Sequence, residues 1–129
     1  MIGDVAFYHD MNGLLAAKLH KLNATIVLIN NNGGGIFSFL PQADYPDHFE
    51  QLYGTPHGLD FRHAAELYGA GYTLAADWPA FREAVSGSIS AGGLNIVEVQ
   101  TSRERNVILH RAVWQAVSAA LTEPAKDSA

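Results

Sequence analysis

The feature that most constrains this chain is a pair of polar clusters set a short crossover apart: Gly3-Asp4, and Asn30-Asn31-Asn32-Gly33-Gly34-Gly35. Between them lie a segment of helical periodicity and the apolar run Ala24-Thr25-Ile26-Val27-Leu28-Ile29. Such a β-branched run reads as a parallel strand buried on both faces. Strand, helix, strand is one right-handed crossover unit. It brings both clusters to the carboxyl ends of adjacent strands, where open α/β sheets bind ligands. A carboxylate, amide oxygens and a glycine turn meet there, a set suited to a hard cation carrying a phosphate ester. Magnesium takes six oxygens and keeps phosphate and water among them. Asp4 offers a charged oxygen, an Asn a neutral one, and a carbonyl of the glycine turn a third. Glycines let the main chain approach phosphate with no Cβ between. The amino ends of the helix after Asp4 and of any helix starting near Ile36 favour an anion. Singly, Gly-Asp and Asn-Gly are ordinary turns; at this spacing they point to phosphate and metal.

The remaining chain supplies a continuing α/β pattern. Phe7, Met11, Leu14, Leu15, Leu19 and Leu22 recur at spacings of three and four, predicting an amphipathic helix of about four turns. Asp10 and Asn12 read as surface or cap residues, and His9 and His20 as surface or boundary positions. Ile36-Phe37-Ser38-Phe39-Leu40 reads as one helical turn ended by Pro41. Gln42 to Gly58 is rich in Pro, Asp, His and Tyr and reads as an irregular loop, long enough to serve a function or a partner. Its His48 and His57 read as surface residues. Asp60 caps a helix over 61–68 with Ala64, Ala65, Leu67 and Tyr68 packed, ended by Gly69 and Gly71. Tyr72-Thr73-Leu74 is a short strand, and 77–90 a helix with Trp78, Phe81, Val85 and Ile89 facing in and Pro79 in its first turn. Leu94 to Gln100 is a strand. A last helix spans 104–121, with Val107, Ile108, Arg111, Ala112, Trp114, Gln115 and Val117 on mixed faces. Arg103, Arg105 and Arg111 form either an anion patch or a solvated helix end. Residues 122–129 read as a disordered tail.

Gly3-Asp4 with Asn30-Asn31 resembles the Gly-Asp-Gly … Asn-Asn signature of thiamine-diphosphate enzymes. The longer stretches Gly3 to Leu14 and Asn30 to Pro41, with Phe49-Glu50 to Tyr53-Gly54-Thr55-Pro56 and Arg103 to His110, are similar to the menaquinone-pathway branch of that family. The resemblance covers most of the chain. Val5 departs from the general Gly, but that branch also carries an aliphatic residue there.

The resemblance implies a three-layer open parallel sheet flanked by helices, Rossmann-like, with residues 1–121 as the later part of a diphosphate-binding domain. It implies thiamine diphosphate and Mg2+ (or Mn2+) as cofactors. Asp4, Asn31 and the Gly33 carbonyl would hold the metal; Val5, Ala6, Gly34, Gly35, Ile36 and Phe37 would join them around the cofactor. Ile36, Phe37 and Leu40 would line the thiazolium and substrate pocket. Asn30 would face the turn or neighbouring backbone. Members of this branch decarboxylate 2-oxoglutarate and add the resulting carbanion to isochorismate. Their activating glutamate lies on the pyrimidine-binding domain of a partner subunit, which implies a homo-oligomer. No catalytic residue then falls in this chain, which alone should show no turnover and weak cofactor binding at best. The alternatives are another thiamine-diphosphate decarboxylase or acetohydroxyacid-type synthase, a non-catalytic nucleotide- or flavin-phosphate module, and a plain oligomerisation domain.

Composition trims these choices. A net charge of -5 with no basic cluster argues against a nucleic-acid surface. The absence of cysteine excludes disulfides and thiolate chemistry and suits a cytoplasmic protein. No apolar run approaches the roughly 20 residues that span a bilayer, and no signal peptide is present. Only Met1 and Ile2 precede Gly3-Asp4, fewer than the about five residues of an ordinary strand. The expectation is therefore a cut fragment of a longer chain.

Overall fold

The computed structural model describes residues 1–122. β1 (Ile2–Gly3) runs parallel to β2 (Ala24–Asn30), with Gly3 opposite Ile29. β2 runs parallel to β4 (Leu94–Gln100), pairing Leu28 with Glu98 and Asn30 with Gln100. β3 (Gly71–Leu74) lies parallel to β4 at the far edge, so the order is β1-β2-β4-β3. β1 and β2 are neighbours, so Asp4 and the Asn-Gly turn leave the same edge of the sheet side by side.

Alternation along the strands sends Leu28 and Ile96 to one face, where α1 (Asp4–Asp10) and α4 (Arg62–Tyr68) cover them with Phe7, Phe61, Ala64 and Ala65. The rings of Phe7 and Phe61 meet edge to face at 5.4 Å. Fully burying side chains such as Leu28 and Ile96 stabilises the fold by about 1.5–3 kcal/mol each, so this cluster holds the carboxyl ends of β1 and β2 in place. The opposite face presents Val27, Ile29 and Val99 to α5 (Trp78–Ala91), across an apolar cleft of about 390 Å³ that Phe81 also lines. Helices lie on both faces of a parallel sheet, as the sequence predicts.

Several elements differ in detail from expectation. The first helix is not continuous: a 3-10 turn at Met11–Gly13 separates α1 from α2 (Leu14–Leu19). Only Phe7 of its stripe is buried; Met11 and Leu14 pack partly, while Leu15, Leu19 and Leu22 are exposed. Leu67 of α4 is exposed as well, and Gly71 begins β3 instead of ending α4. Asp77 caps α5 by accepting from Ala80 N at 2.8 Å, but Trp78 and Ile89 are exposed. Asp60 accepts from Arg62 N at 2.9 Å. The stretch read as an irregular loop contains a 3-10 turn at Pro41–Asp44, α3 (Pro46–Phe49) and a π-turn at Glu50–Gly54. Pro41 and Pro46 start turns there, because a fixed φ and a missing N–H suit a first helical position.

α6 (Arg103–Thr122) buries Val107, and its His110 and Trp114 pack against Phe39. Thr122 belongs to this helix, not to a tail; residues 123–129 lie outside the described residues.

Candidate phosphate and metal site

Asp4 is the first residue of α1 and only 2% exposed. Its Oδ1 accepts the Val5 N–H at 2.8 Å, and its Oδ2 accepts the Gly33 N–H at 2.9 Å. The two ends of the crossover are thus joined directly. A carboxylate has about four lone-pair sites. A third donor, His57 Nε2, lies 3.0 Å from Oδ2, so three sites are filled and one on Oδ1 is left over.

The glycine turn supplies two more oxygens. Asn31 Oδ1 is buried and accepts no hydrogen bond. The Gly33 carbonyl accepts from Gly35 N at 3.0 Å, which leaves its second lone pair free. A buried amide oxygen with no donor is costly unless a cation meets it. Among the described residues no three His, Cys, Asp or Glu side chains converge on one point. A cation here therefore has to draw on one carboxylate and neutral oxygens, which is the preference of magnesium and not of zinc.

The turn is locked from outside. Gly34 N donates to Gly54 O at 2.8 Å, tying the turn to the π-turn. That π-turn is clamped in its own right: Arg103, with its side chain 8% exposed, donates Nη2 to Glu50 Oε2 at 2.6 Å and Nη1 to Oε1 at 3.2 Å. Arg103 is thus a buried bidentate tether from α6, not a member of an anion patch or a solvated helix end. Asn32 has φ of +58°, and its Oδ1 accepts the N–H groups of His57 and Gly58 at 3.0 and 2.8 Å. Asn30 faces the turn through Oδ1, which accepts Asn32 N at 3.0 Å, while its Nδ2 donates to Glu98 at 2.9 Å.

The remaining expected site residues surround this core. Val5 and Ala6 are exposed on α1. Ile36 and Phe37 lie on the 3-10 turn Gly35–Phe39, Ile36 with 71% of its surface exposed and Phe37 against Tyr53 at 5.6 Å. Leu40 is exposed beside them. His48 is exposed as expected. His57 is not a surface residue: its side chain is 15% exposed and reaches Asp4.

Sequence reading also passed over Glu98. It is 2% exposed, beneath the turn, and receives Asn30 Nδ2, Tyr72 OH at 2.8 Å and Gln100 Nε2 at 3.4 Å. A lone acid in the apolar run of β4 was the available signal. Tyr72 is pushed up from 10.0 to about 12, first by burial, then by its hydrogen bond to Glu98 and that residue's charge; Arg62 over its ring opposes this. A phenol raised on folding contributes stability that is complete below pH 10.0 and lost as pH rises towards about 12. Tyr72→Phe should cost about 1–2 kcal/mol at neutral pH, because Glu98 loses a donor. It should also lose less stability than the unaltered chain across that alkaline window, as read from urea unfolding midpoints.

An all-parallel α/β sheet with a glycine turn at its carboxyl edge is the architecture of a phosphate-binding domain. Residues 1–99 match the thiamine pyrophosphate enzyme, C-terminal TPP binding domain, and the chain belongs to that family. It is 59% identical over 118 residues, 92% of the chain, to 2-succinyl-5-enolpyruvyl-6-hydroxy-3-cyclohexene-1-carboxylate synthase of Geobacillus kaustophilus. Its identity to the same-named proteins of Chloroflexus aurantiacus and Listeria innocua is 58% over 95% of the chain and 51% over 94%. The chain spans about a fifth of the length of these curated relatives, 20% to 21%. Among solved structures it resembles the Rhodococcus jostii thiamine diphosphate-dependent 4-hydroxybenzoylformate decarboxylase, with TM-score 0.67 and 27% identity over 78% of this chain and 19% of that one. Benzoylformate decarboxylase from Polynucleobacter necessarius shares the fold, with TM-score 0.62 at 21% identity over 79% and 19%. Among the described residues no helix is long and apolar enough to cross a membrane.

Proposed function

We propose that this chain is the diphosphate- and metal-anchoring domain of a thiamine-diphosphate-dependent synthase of menaquinone biosynthesis, one that decarboxylates 2-oxoglutarate and transfers the remaining carbon fragment to isochorismate. The observation that carries the anchoring role is the set of spare oxygen lone pairs on Asp4, Asn31 and Gly33. The substrates rest on the 51% to 59% identity to relatives bearing the synthase name; the two decarboxylases are more distant at 27% and 21%.

When bound, the cofactor supplies the electron sink for decarboxylation. Asp4, Asn31 and the Gly33 carbonyl fit Mg2+ or Mn2+, leaving positions for diphosphate oxygens and water. The main chain at Val5, Ala6, Gly34 and Gly35 would border the diphosphate. Ile36, Phe37 and Leu40 offer apolar surface to the thiazolium and substrate; the exposure of Ile36 and Leu40 supports this. Activation of the aminopyrimidine falls to the pyrimidine-binding domain of a partner subunit in a cytoplasmic homo-oligomer.

Calorimetric titration with thiamine diphosphate tests the reading. Weak binding that requires Mg2+ or Mn2+ is expected, with no product from 2-oxoglutarate and isochorismate. Equal binding after chelation of all divalent ions would sink the anchoring role, and turnover by the chain alone would sink the division of labour.

A further inference from the structure

His57 sits in the irregular segment after the π-turn and is fixed at three points. Its own N–H donates to Asn32 Oδ1 at 3.0 Å. Its ring stands edge-on against Phe61 at 5.5 Å. Its Nδ1 lies 3.0 Å from Leu59 N. A backbone N–H can only donate, so Nδ1 carries the lone pair and the ring proton resides on Nε2. Nε2 lies 3.0 Å from Asp4 Oδ2 and therefore donates to it. The imidazole is a neutral donor whose remaining nitrogen is occupied, so neither nitrogen is available to ligate a metal.

We infer that His57 is the positioning residue of the metal site, occupying Asp4 Oδ2 together with the Gly33 N–H so that the carboxylate's spare lone pair is on Oδ1. The inference rests on the anchoring role proposed for Asp4. With the Val5 N–H on Oδ1 and the Gly33 N–H on Oδ2, each oxygen would keep one spare lone pair. The His57 donor fills the spare lone pair on Oδ2, so the one left over is on Oδ1. Asn32 couples the arrangement to the turn, because its side chain places the His57 backbone while its neighbours Asn31 and Gly33 carry the other two oxygens. Outer-shell donors of this kind contribute about 10–100-fold to metal affinity.

The test uses Mn2+ as the probe, its binding to the whole chain followed by electron paramagnetic resonance in excess thiamine diphosphate. His57→Phe keeps a ring against Phe61 and removes the donor; a loss of about 10–100-fold in Mn2+ affinity is expected. His57→Gln returns an N–H at similar reach and should recover most of that loss. Urea unfolding without metal monitors the fold of each variant. Nitrogen NMR of the unaltered chain should show the neutral Nε2–H tautomer at His57. Unchanged Mn2+ affinity in His57→Phe, no recovery in His57→Gln, or an Nδ1–H tautomer would each overturn the positioning role. Absence of Mn2+ binding by the unaltered chain would instead remove the anchoring role, and this inference with it.

Discussion

Asp4→Ala is expected to abolish metal-dependent thiamine diphosphate binding, a loss of more than about 100-fold, since changes to outer-shell partners alone cost up to that much. Asp4 contributes the one negative charge among the three proposed oxygens, and the attraction of a dication to two neutral oxygens is far weaker. The fold should respond less. Deleting the carboxylate leaves the buried Gly33 N–H unpaired, at about 1–3 kcal/mol, while the part-buried Val5 N–H and His57 Nε2–H can turn to water. It also removes a buried charge that has no Lys or Arg partner among the described residues, which works in the opposite direction. A net destabilisation of about 2 kcal/mol follows from these opposed effects. Mn2+ titration and urea unfolding, run on the same sample, separate binding from folding. Metal-dependent cofactor binding that survives in Asp4→Ala would end the case for this site.

What could be read from sequence, and what could not, divides along contact range. β4 was legible residue for residue, and β2 to within one, because apolar runs bounded by Gly and Asn specify buried strands locally. The meeting of Asp4 with the Asn-Gly turn was legible because crossover topology dictates it. The exposed faces were not. Periodicity shows that Leu15, Leu19 and Leu22 form a stripe, but carries no information about what covers them. Side-chain partners far apart in the chain were equally hidden. His57 meets Asp4 and Arg103 meets Glu50, each across 53 residues, and no local spacing announces either pair. Both lie where the chain approaches the glycine turn from outside. The hidden residues are therefore those that hold the site in shape, whereas the legible ones are those that would touch a ligand.

Gly33→Ala carries the second large effect. Gly33 has φ of +132°, a conformation that residues with a Cβ rarely adopt, and an added Cβ would overlap the carbonyl oxygen of Gly54. Two penalties therefore combine: backbone strain of about 1–3 kcal/mol and overpacking of about 1–3 kcal/mol. Relaxation by moving the π-turn away is obstructed, because Gly54 accepts from Gly34 N and abuts the Arg103–Glu50 pair. A loss on the order of 3 kcal/mol is expected in urea unfolding, with Mn2+ binding lost alongside it as the Asp4–Gly33 contact opens. Gly69→Ala isolates the first penalty. Gly69 ends α4 at φ of +70° and nothing lies within 4 Å of its added Cβ, so about 1–2 kcal/mol should be lost there. Equal stability in the two variants would mean that the turn is not packed against the π-turn in solution, and that the oxygens of Asn31 and Gly33 are not held in place from outside.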